Sequence, residues 1–77
     1  MRRSWTQSRA DAVRLSVFDA SGRLMAEIEE AVELAEGTHS REWAGTDPSG
    51  SAARPGLDFA VLQVGGEKRL AKITLVR

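Results

Sequence analysis

The chain has 77 residues, enough for one small domain, and its 11 basic residues balance its 11 acidic residues. A domain of this size buries only about 60–65% of its unfolded surface, so its core must be compact. Because the sequence contains no cysteine, disulfides, cysteine-ligated metals and thiol catalysis are excluded. The zero net charge argues against a nucleic-acid or anionic-membrane partner bound through bulk charge.

The N-terminal residues do not form a recognisable export signal. Arg2 and Arg3 provide positive charge, but a polar stretch follows them instead of an apolar region of about 7–15 residues. No apolar run in the chain approaches the roughly 20 residues of a membrane span. We therefore expect the chain to be either cytosolic or the tail of a longer exported protein. Residues 1–11 are polar and lack periodicity, which predicts a flexible lead-in before a domain over residues 12–77.

A β-hairpin is predicted at the start of this domain. Residues Val13–Val17 alternate apolar and polar side chains, and a second alternating run covers Leu24–Ile28. Between the two runs, Asp19-Ala20-Ser21-Gly22 has Asp at the first turn position and Gly at the last. Two alternating runs around a four-residue turn are typical of a hairpin.

The segment Ala26–Glu36 permits two interpretations. It is rich in helix formers, Gly37 is a suitable residue to follow a helix, and four apolar residues fall on one helical face: Ile28, Ala31, Val32 and Ala35. The alternative is a strand followed by a loop. We favour the strand, because a helix would leave too short a second strand for the hairpin.

A strand, a loop and a turn are predicted in the middle of the chain. Thr38–Trp43 is predicted to be a strand that ends in a large aromatic residue. Gly45–Gly56 contains three Gly and both Pro, which is typical of a loop. Within it, Thr46–Gly50 is predicted to be a turn with Pro48 near its start.

Two further strands complete the predicted domain. Leu57–Val64 carries apolar residues on both parities, which favours a central or bulged strand. Gly65-Gly66 is a hairpin turn signal, and the charged final strand, Leu70–Val76, suits an exposed edge. The pattern predicts an all-β, immunoglobulin- or fibronectin III-like β-sandwich of about six to seven short antiparallel strands.

The ordered set of these segments resembles the FlgD-type immunoglobulin-like domain, named for the flagellar hook-capping protein and similar to the C-terminal sorting domains of type IX secretion. The segments that carry the resemblance are Val13–Leu24, Leu34–Ser40, Trp43–Gly50, Pro55–Phe59 and Lys72–Val76. The sequence departs from the family pattern in three places: Ala44 replaces an Asp, Asp58 and Ala60 stand in a run that is usually aromatic, and Arg41 replaces an apolar inward residue. We expect Arg41 and Asp58 to pair across the sheet, because an unpaired buried charge costs several kcal/mol.

The resemblance implies a non-enzymatic accessory or C-terminal module of an exported bacterial protein, acting in sorting, anchoring or assembly. It implies an extracellular or cell-surface location within a longer protein, with secretion or assembly machinery, or the rest of that protein, as partner. The alternatives are a flagellar hook-cap-type scaffold domain and a small peptide- or carbohydrate-binding module. The carbohydrate alternative would require exposed aromatic residues, whereas Trp43, Phe18 and Phe59 are expected in the core.

No catalytic, cofactor-binding or metal-binding residue is predicted. His39 lacks an oriented nucleophile, and the oxygen ligands that Asp19, Asp47, Asp58 and Glu42 could offer to calcium have no EF-hand spacing. Five Glu residues between 27 and 36 form either a solvated face or a docking patch for a basic partner. The residues assigned to structural motifs are Asp19, Gly22, Gly37, Trp43, Gly45, Asp47, Gly50, Pro55 and Gly56. The last strand, which carries Lys72 and Val76, has two interpretations: it completes the sheet, which we favour, or these two residues contribute to an interaction by strand addition.

Overall fold

The computed structural model describes residues 2–53 and 56–75, with side chains through residue 69, as two antiparallel β-sheets. The strands are β1 (Arg2–Gln7), β2 (Asp11–Asp19), β3 (Leu24–Leu34), β4 (Gly37–Glu42), β5 (Gly56–Val64) and β6 (Glu67–Leu75). β1 pairs with β4 in a two-stranded sheet, and the larger sheet has the order β3-β2-β5-β6. The predicted all-β sandwich is confirmed, with six strands. Within the described residues, no helix has the length and apolarity needed to cross a bilayer.

The N-terminal segment is a strand, and its assignment to a flexible lead-in is corrected. β1 pairs with β4 in continuous register from Arg2 opposite Glu42 to Gln7 opposite Gly37. Trp5 is buried and donates its indole N–H to the side-chain oxygen of Gln7 at 2.9 Å. Buried and exposed residues alternate along β1, but one of its buried residues is the polar Gln7. A search for alternating apolar residues therefore misses this strand.

The core lies between the two sheets and consists of two adjoining clusters. The first contains Trp5 with Val13, Leu15, Ala60 and Leu62. The second contains Trp43 with Val17, Met25 and Ala53. The partly buried Ile28 packs against both clusters. One tryptophan from the small-sheet side therefore anchors each cluster on the larger sheet, and burial of such large aromatics dominates core stability.

The ambiguous segment Ala26–Glu36 is strand through Leu34, so the preferred interpretation is confirmed. Three register shifts interrupt the pairing of β2 with β3, and at each one β3 contributes one more residue than β2. Ala31, within the first shift, has a positive φ of 57°. Because each bulge adds a residue, the side chains that face the core, such as Met25 and Ile28, are three residues apart rather than two. Of the four residues on the helix-like face, only Ile28 packs on the core, and Ala31, Val32 and Ala35 are exposed.

β5 is central in the larger sheet, as its apolar residues on both parities predicted. Its inward residues are Asp58, Ala60 and Leu62. Phe18 of β2 lies opposite Phe59 of β5, on the face away from the core, and both are only partly buried. The expectation that these two phenylalanines belong to the core is therefore wrong; the alternation of each strand turns them outward.

The two edges of the larger sheet differ. β3 is bulged at three positions, and its exposed end carries Glu30 and Glu33. β6 instead pairs with β5 without a register shift over nine residues, from Gly56 opposite Leu75 to Val64 opposite Glu67. Bulges and charges on an edge strand oppose the addition of another strand. The regular edge of this sheet is therefore β6, as predicted for the last strand.

Candidate functional site: an acidic pocket at one end of the sandwich

A cavity of about 380 Å³ opens at the end of the sandwich where β2 ends and β5 begins. Three loop or strand segments meet there: the β2–β3 turn, the loop after Trp43 and the first rungs of β5. The lining residues are Asp19, Arg23, Met25, Asp47, Ala52, Ala53 and Asp58. Of the residues that the structure describes, three carboxylates and one guanidinium line this cavity, over a floor of buried Met25 and Ala53. We call this cavity the acidic pocket.

Asp19 is fixed by the turn that it starts. Its Oδ1 accepts hydrogen bonds from the backbone N–H of Ser21 at 2.9 Å, from the Ser21 hydroxyl at 2.6 Å and from the backbone N–H of Arg23 at 2.9 Å. The backbone N–H of Gly22 donates to the Asp19 carbonyl at 3.0 Å, and Gly22 has a φ of 87°. These bonds, led by the one from the Ser21 hydroxyl, lower the pKa of Asp19. The carboxylate is ionised and rigidly placed.

Asp47 starts a second turn with the same pattern of bonds. Its Oδ1 accepts from the backbone N–H of Ser49 at 3.0 Å, from the Ser49 hydroxyl at 2.6 Å and from the backbone N–H of Ser51 at 3.0 Å. Gly50 closes the turn with a φ of 88°, and its N–H donates to the Asp47 carbonyl at 2.9 Å. The Ser49 hydroxyl is the main cause of the lowered pKa of Asp47. Two copies of one turn thus present their carboxylates to the same pocket.

Asp58 differs from the other two carboxylates, because it is buried within the fold. It is only 4% exposed, and among the described residues its Oδ2 has no hydrogen-bond partner. Burial, and secondarily the negative charge of Asp19 opposite it on β2, raises the pKa of Asp58. A buried carboxyl without a partner is costly to a fold, and such groups need an explanation.

The expected pairing of Asp58 with Arg41 is wrong. The Arg41 guanidinium instead donates from Nε to Oε1 of Glu29 at 2.5 Å and lies 5.9 Å above the Trp5 ring. Arg41 lies on β4 of the small sheet, over Trp5, whereas Asp58 lies opposite Asp19 on the larger sheet, so the two residues stand on different sheets. Arg41 is accommodated by its ion pair and by the indole face.

The carboxylates considered as calcium ligands are divided by the fold. Asp19, Asp47 and Asp58 line the acidic pocket, whereas Glu42 pairs with Arg2 at 2.6 Å on the small sheet. Over residues 2–53 and 56–75, no group of three or more His, Cys, Asp or Glu side chains is placed to hold a metal ion. His39, near Trp5, has its Nε2 at 2.7 Å from the Ala35 carbonyl oxygen.

The glutamates of the Ala26–Glu36 segment do not act together. Glu27 pairs with Arg14 at 2.6 Å and accepts from the Ser16 hydroxyl at 3.1 Å, while Glu29 pairs with Arg41. Glu30, Glu33 and Glu36 are exposed.

An apolar patch lies on the outer face of the larger sheet, near the end where the acidic pocket opens. The Phe18–Phe59 rung is the next one after the Asp19–Asp58 rung. Leu24, opposite Phe18 on β3, is 43% exposed, and Leu57 on β5 is 41% exposed. We call Leu24, Phe18, Phe59 and Leu57 the apolar patch. Because neighbouring rungs face opposite sides of a sheet, the patch and the acidic pocket lie at the same end of the molecule but on opposite faces of the larger sheet.

The remaining residues assigned to structural motifs or to an interaction lie outside the acidic pocket or outside the described part of the chain. Trp43 is 4% exposed and donates its indole N–H to the Thr46 carbonyl at 3.1 Å. Gly37, Gly45 and Gly56 have φ values of 126°, 75° and 144°, respectively. Lys72 lies opposite Phe59 on the edge strand β6. Pro55 and Val76 lie outside the described residues.

Sequence reasoning named the three aspartates separately but did not bring them together. The available signal was a short repeat, because Asp19-Ala20-Ser21-Gly22 and Asp47-Pro48-Ser49-Gly50 share an Asp-x-Ser-Gly pattern. Two identical turns at the ends of strands in one sandwich are candidates to meet at one end. The buried Asp58 stands on the same rung as Asp19, which only the strand register reveals.

Comparison with known proteins gave a match at the level of the family. No curated protein and no solved structure matched the chain. The model of the FlgD Ig-like domain matches residues 3–61, a span that includes most of β1, both Asp-x-Ser-Gly turns and most of β5. The chain belongs to the FlgD Ig-like domain family.

Proposed function

We propose that this chain is a non-enzymatic docking module that sorts, anchors or assembles an exported bacterial protein on the outside of the cell. Its partner is a protein, either a component of secretion or assembly machinery or another part of a longer parent chain. Membership of the FlgD Ig-like family supports a structural or assembly role. The observation that carries the proposal is the apolar patch on the outer face of the larger sheet.

The outer faces of the two sheets support this assignment by their difference. On the small sheet, the outward pairs are polar: Arg2 with Glu42, Ser4 with Ser40, and Thr6 with Thr38. On the larger sheet, Leu24 and Leu57 are each more than two-fifths exposed, beside Phe18 and Phe59. An exposed apolar patch rimmed by polar residues is typical of a protein-binding surface.

Fusion of residues 1–77 to an exportable passenger protein tests the sorting role in a host competent for type IX secretion. The whole chain is needed because β1 contributes Trp5 to the core. We expect the fusion to place the passenger at the cell surface, and the double variant Leu24→Ser/Leu57→Ser to release it. Val32→Ser is the matched control, because Val32 is 40% exposed but lies opposite Val13, at the other end of the sheet. Unchanged passenger localisation with the wild-type module would contradict this role.

The second candidate function is a flagellar hook-cap scaffold, which the family match favours directly. It predicts that the chain binds assembled hook or rod protein, and that Leu24→Ser/Leu57→Ser weakens this binding. A sedimentation assay with purified hook filaments measures it. Neighbouring genes also separate the two roles, because hook and rod genes favour the scaffold whereas surface proteases or adhesins favour sorting.

A carbohydrate-binding role has less support. Such a module uses exposed aromatic rings, whereas Trp5 and Trp43 are buried and Phe18 and Phe59 are partly buried. The proposal therefore rests on protein recognition.

A further inference from the structure

The buried carboxyl of Asp58 is costly to the fold, yet it lines the acidic pocket. Its Oδ2 has no hydrogen-bond partner among the described residues, and the side chain is 96% removed from solvent, being 4% exposed. A smaller neutral residue would remove this cost, since strand β5 continues with Ala60 on the same face. A feature that lowers stability and faces a cavity is expected where function requires it.

The chemistry of the pocket selects a cation. Among the described lining residues, three carboxylates face the pocket against one guanidinium, that of Arg23, so this lining carries excess negative charge when the carboxylates are ionised. Hydrogen bonds within the two turns fix the carboxylates of Asp19 and Asp47 through Oδ1 at the rim of the pocket. Asp58 is more deeply buried. A charged partner that reaches Asp58 would provide the hydrogen bonds that the fold does not.

The size and lining of the pocket favour an extended cation over a metal ion. The cavity measures about 380 Å³, and no described group of three acidic or histidine side chains is placed to hold a metal. Part of the lining is apolar, with the buried Met25 and Ala53. An arginine side chain combines an apolar stem with a planar guanidinium that carries five donors in a fork suited to carboxylates.

We infer that the acidic pocket receives the side chain of an arginine from a protein partner, with Asp58 binding its guanidinium. This inference rests on the proposed docking function and names the chemistry that the partner presents. The arginine enters at the rim between Asp19 and Asp47 and packs its stem on Met25 and Ala53.

The test is an NMR titration of the full chain, labelled with ¹⁵N, with the peptide acetyl-Gly-Gly-Arg-Gly-Gly-amide. Matched peptides carry lysine or citrulline in place of arginine, because citrulline has nearly the shape of arginine but no charge. We expect the arginine peptide to shift the amide signals of Met25, Ala53 and Asp58, the lysine peptide to bind more weakly, and the citrulline peptide not to bind. Equal binding of the arginine and citrulline peptides would overturn the inference.

Two substitutions locate the binding site. Asp58→Asn should lower the affinity for the arginine peptide by about tenfold to a hundredfold, the range for loss of a hydrogen bond between charged groups. Glu30→Gln removes the same charge from an exposed position on β3 and should change the affinity less than about twofold. Equal effects of the two substitutions would overturn the inference. Binding of the arginine peptide to Arg54→Ala but not to the wild-type chain would also overturn the inference, because the chain's own Arg54 would then compete for the pocket.

The same variants distinguish this inference from the docking function. If wild-type and Asp58→Asn modules retain the passenger equally and the arginine peptide does not bind, the pocket inference fails and the docking function stands. If the peptide binds but neither passenger retention nor hook binding is seen, the docking function fails and the arginine pocket stands.

Discussion

Removal of the Trp5 side chain tests whether β1 is part of the folded domain. Trp5 is 5% exposed and packs against Val13, Leu15, Ala60 and Leu62, so Trp5→Ala opens a cavity in the first core cluster. Truncation of a buried aromatic residue costs about 3–5 kcal/mol. A domain of 77 residues is stable by only about 4–12 kcal/mol at 0.05–0.15 kcal/mol per residue. The substitution should therefore remove a large share of the free energy of unfolding.

Urea unfolding measures this loss, with Trp43 fluorescence and far-UV circular dichroism as the two signals. If Trp5→Ala does not fold, Trp5→Phe keeps the measurement possible. It retains a ring and loses the indole N–H bond to Gln7, which is worth about 1 kcal/mol. Thr6→Ala is the control on the same strand, because Thr6 faces outward, and it should cost less than about 0.5 kcal/mol. If Trp5→Ala costs no more than Thr6→Ala, β1 does not pack on the core and the reasoning fails.

Three further substitutions test the pocket, a turn and an ion pair. Asp58→Asn should raise the free energy of unfolding at pH 7 by about 1–3 kcal/mol, because it removes a buried charge without a partner. Since the pKa of Asp58 is raised by burial, the folded state binds its proton more tightly than the unfolded chain, so wild-type stability falls as pH rises from about 4 through that raised pKa. The gain in Asp58→Asn should therefore shrink towards pH 4, and a gain independent of pH would contradict the assignment. Gly22→Ala should lower the free energy of unfolding by about 1–2 kcal/mol, because Gly22 has a φ of 87°. The control Gly66→Ala, which has open space around it, should lower it by less than about 0.5 kcal/mol. Thermal unfolding measures both values, and equal costs would refute a strained turn at Gly22. Arg41→Ala should lower the free energy of unfolding by about 1–3 kcal/mol, because it leaves the largely buried Glu29 carboxylate unpaired. A double-mutant cycle with Glu29→Ala should show a coupling energy between the two residues. A coupling energy near zero would show that the ion pair contributes nothing to stability.

Asp19 and Asp47, at the rim of the acidic pocket, change the stability with pH in the opposite direction to Asp58. Hydrogen bonds lower the pKa values of Asp19 and Asp47, so their contribution is present above the unfolded-state pKa and is lost as pH falls below about 4. The two kinds of carboxylate therefore shape different parts of the pH profile. This separation makes the Asp58 contribution measurable.

The fold was predictable from the sequence wherever alternation was unbroken. The hairpin of β2 and β3, the central place of β5 and the edge position of β6 all followed from period-2 patterns and turn residues. β3 was ambiguous because it is rich in the helix formers Ala and Glu, and the bulges that it contains depend on pairing with another strand. β1 was missed because polar Gln7 occupies an inward position and is satisfied by bonds to Trp5, Arg9 and Leu34.

The candidate site was predictable only in its parts. Asp19 and Asp47 were recognised as turn residues from the sequence, and their local hydrogen bonds require nothing else. That both face one pocket depends on the way the sheets bring the two turns together, which local sequence does not encode. Asp58 was flagged as a charge on a strand, but its lack of a partner is a property of the packed structure.

The difference between the two edges of the larger sheet limits how these molecules can associate through their backbones. Growth of a sheet from molecule to molecule needs two receptive edges on each, one to receive and one to offer. Here β6 is regular, whereas β3 is bulged three times and carries exposed glutamates. If two copies join through β6, both outer ends of the combined sheet are β3, and growth through this sheet stops there. This asymmetry allows a pair to form while opposing extension of this sheet into a fibre.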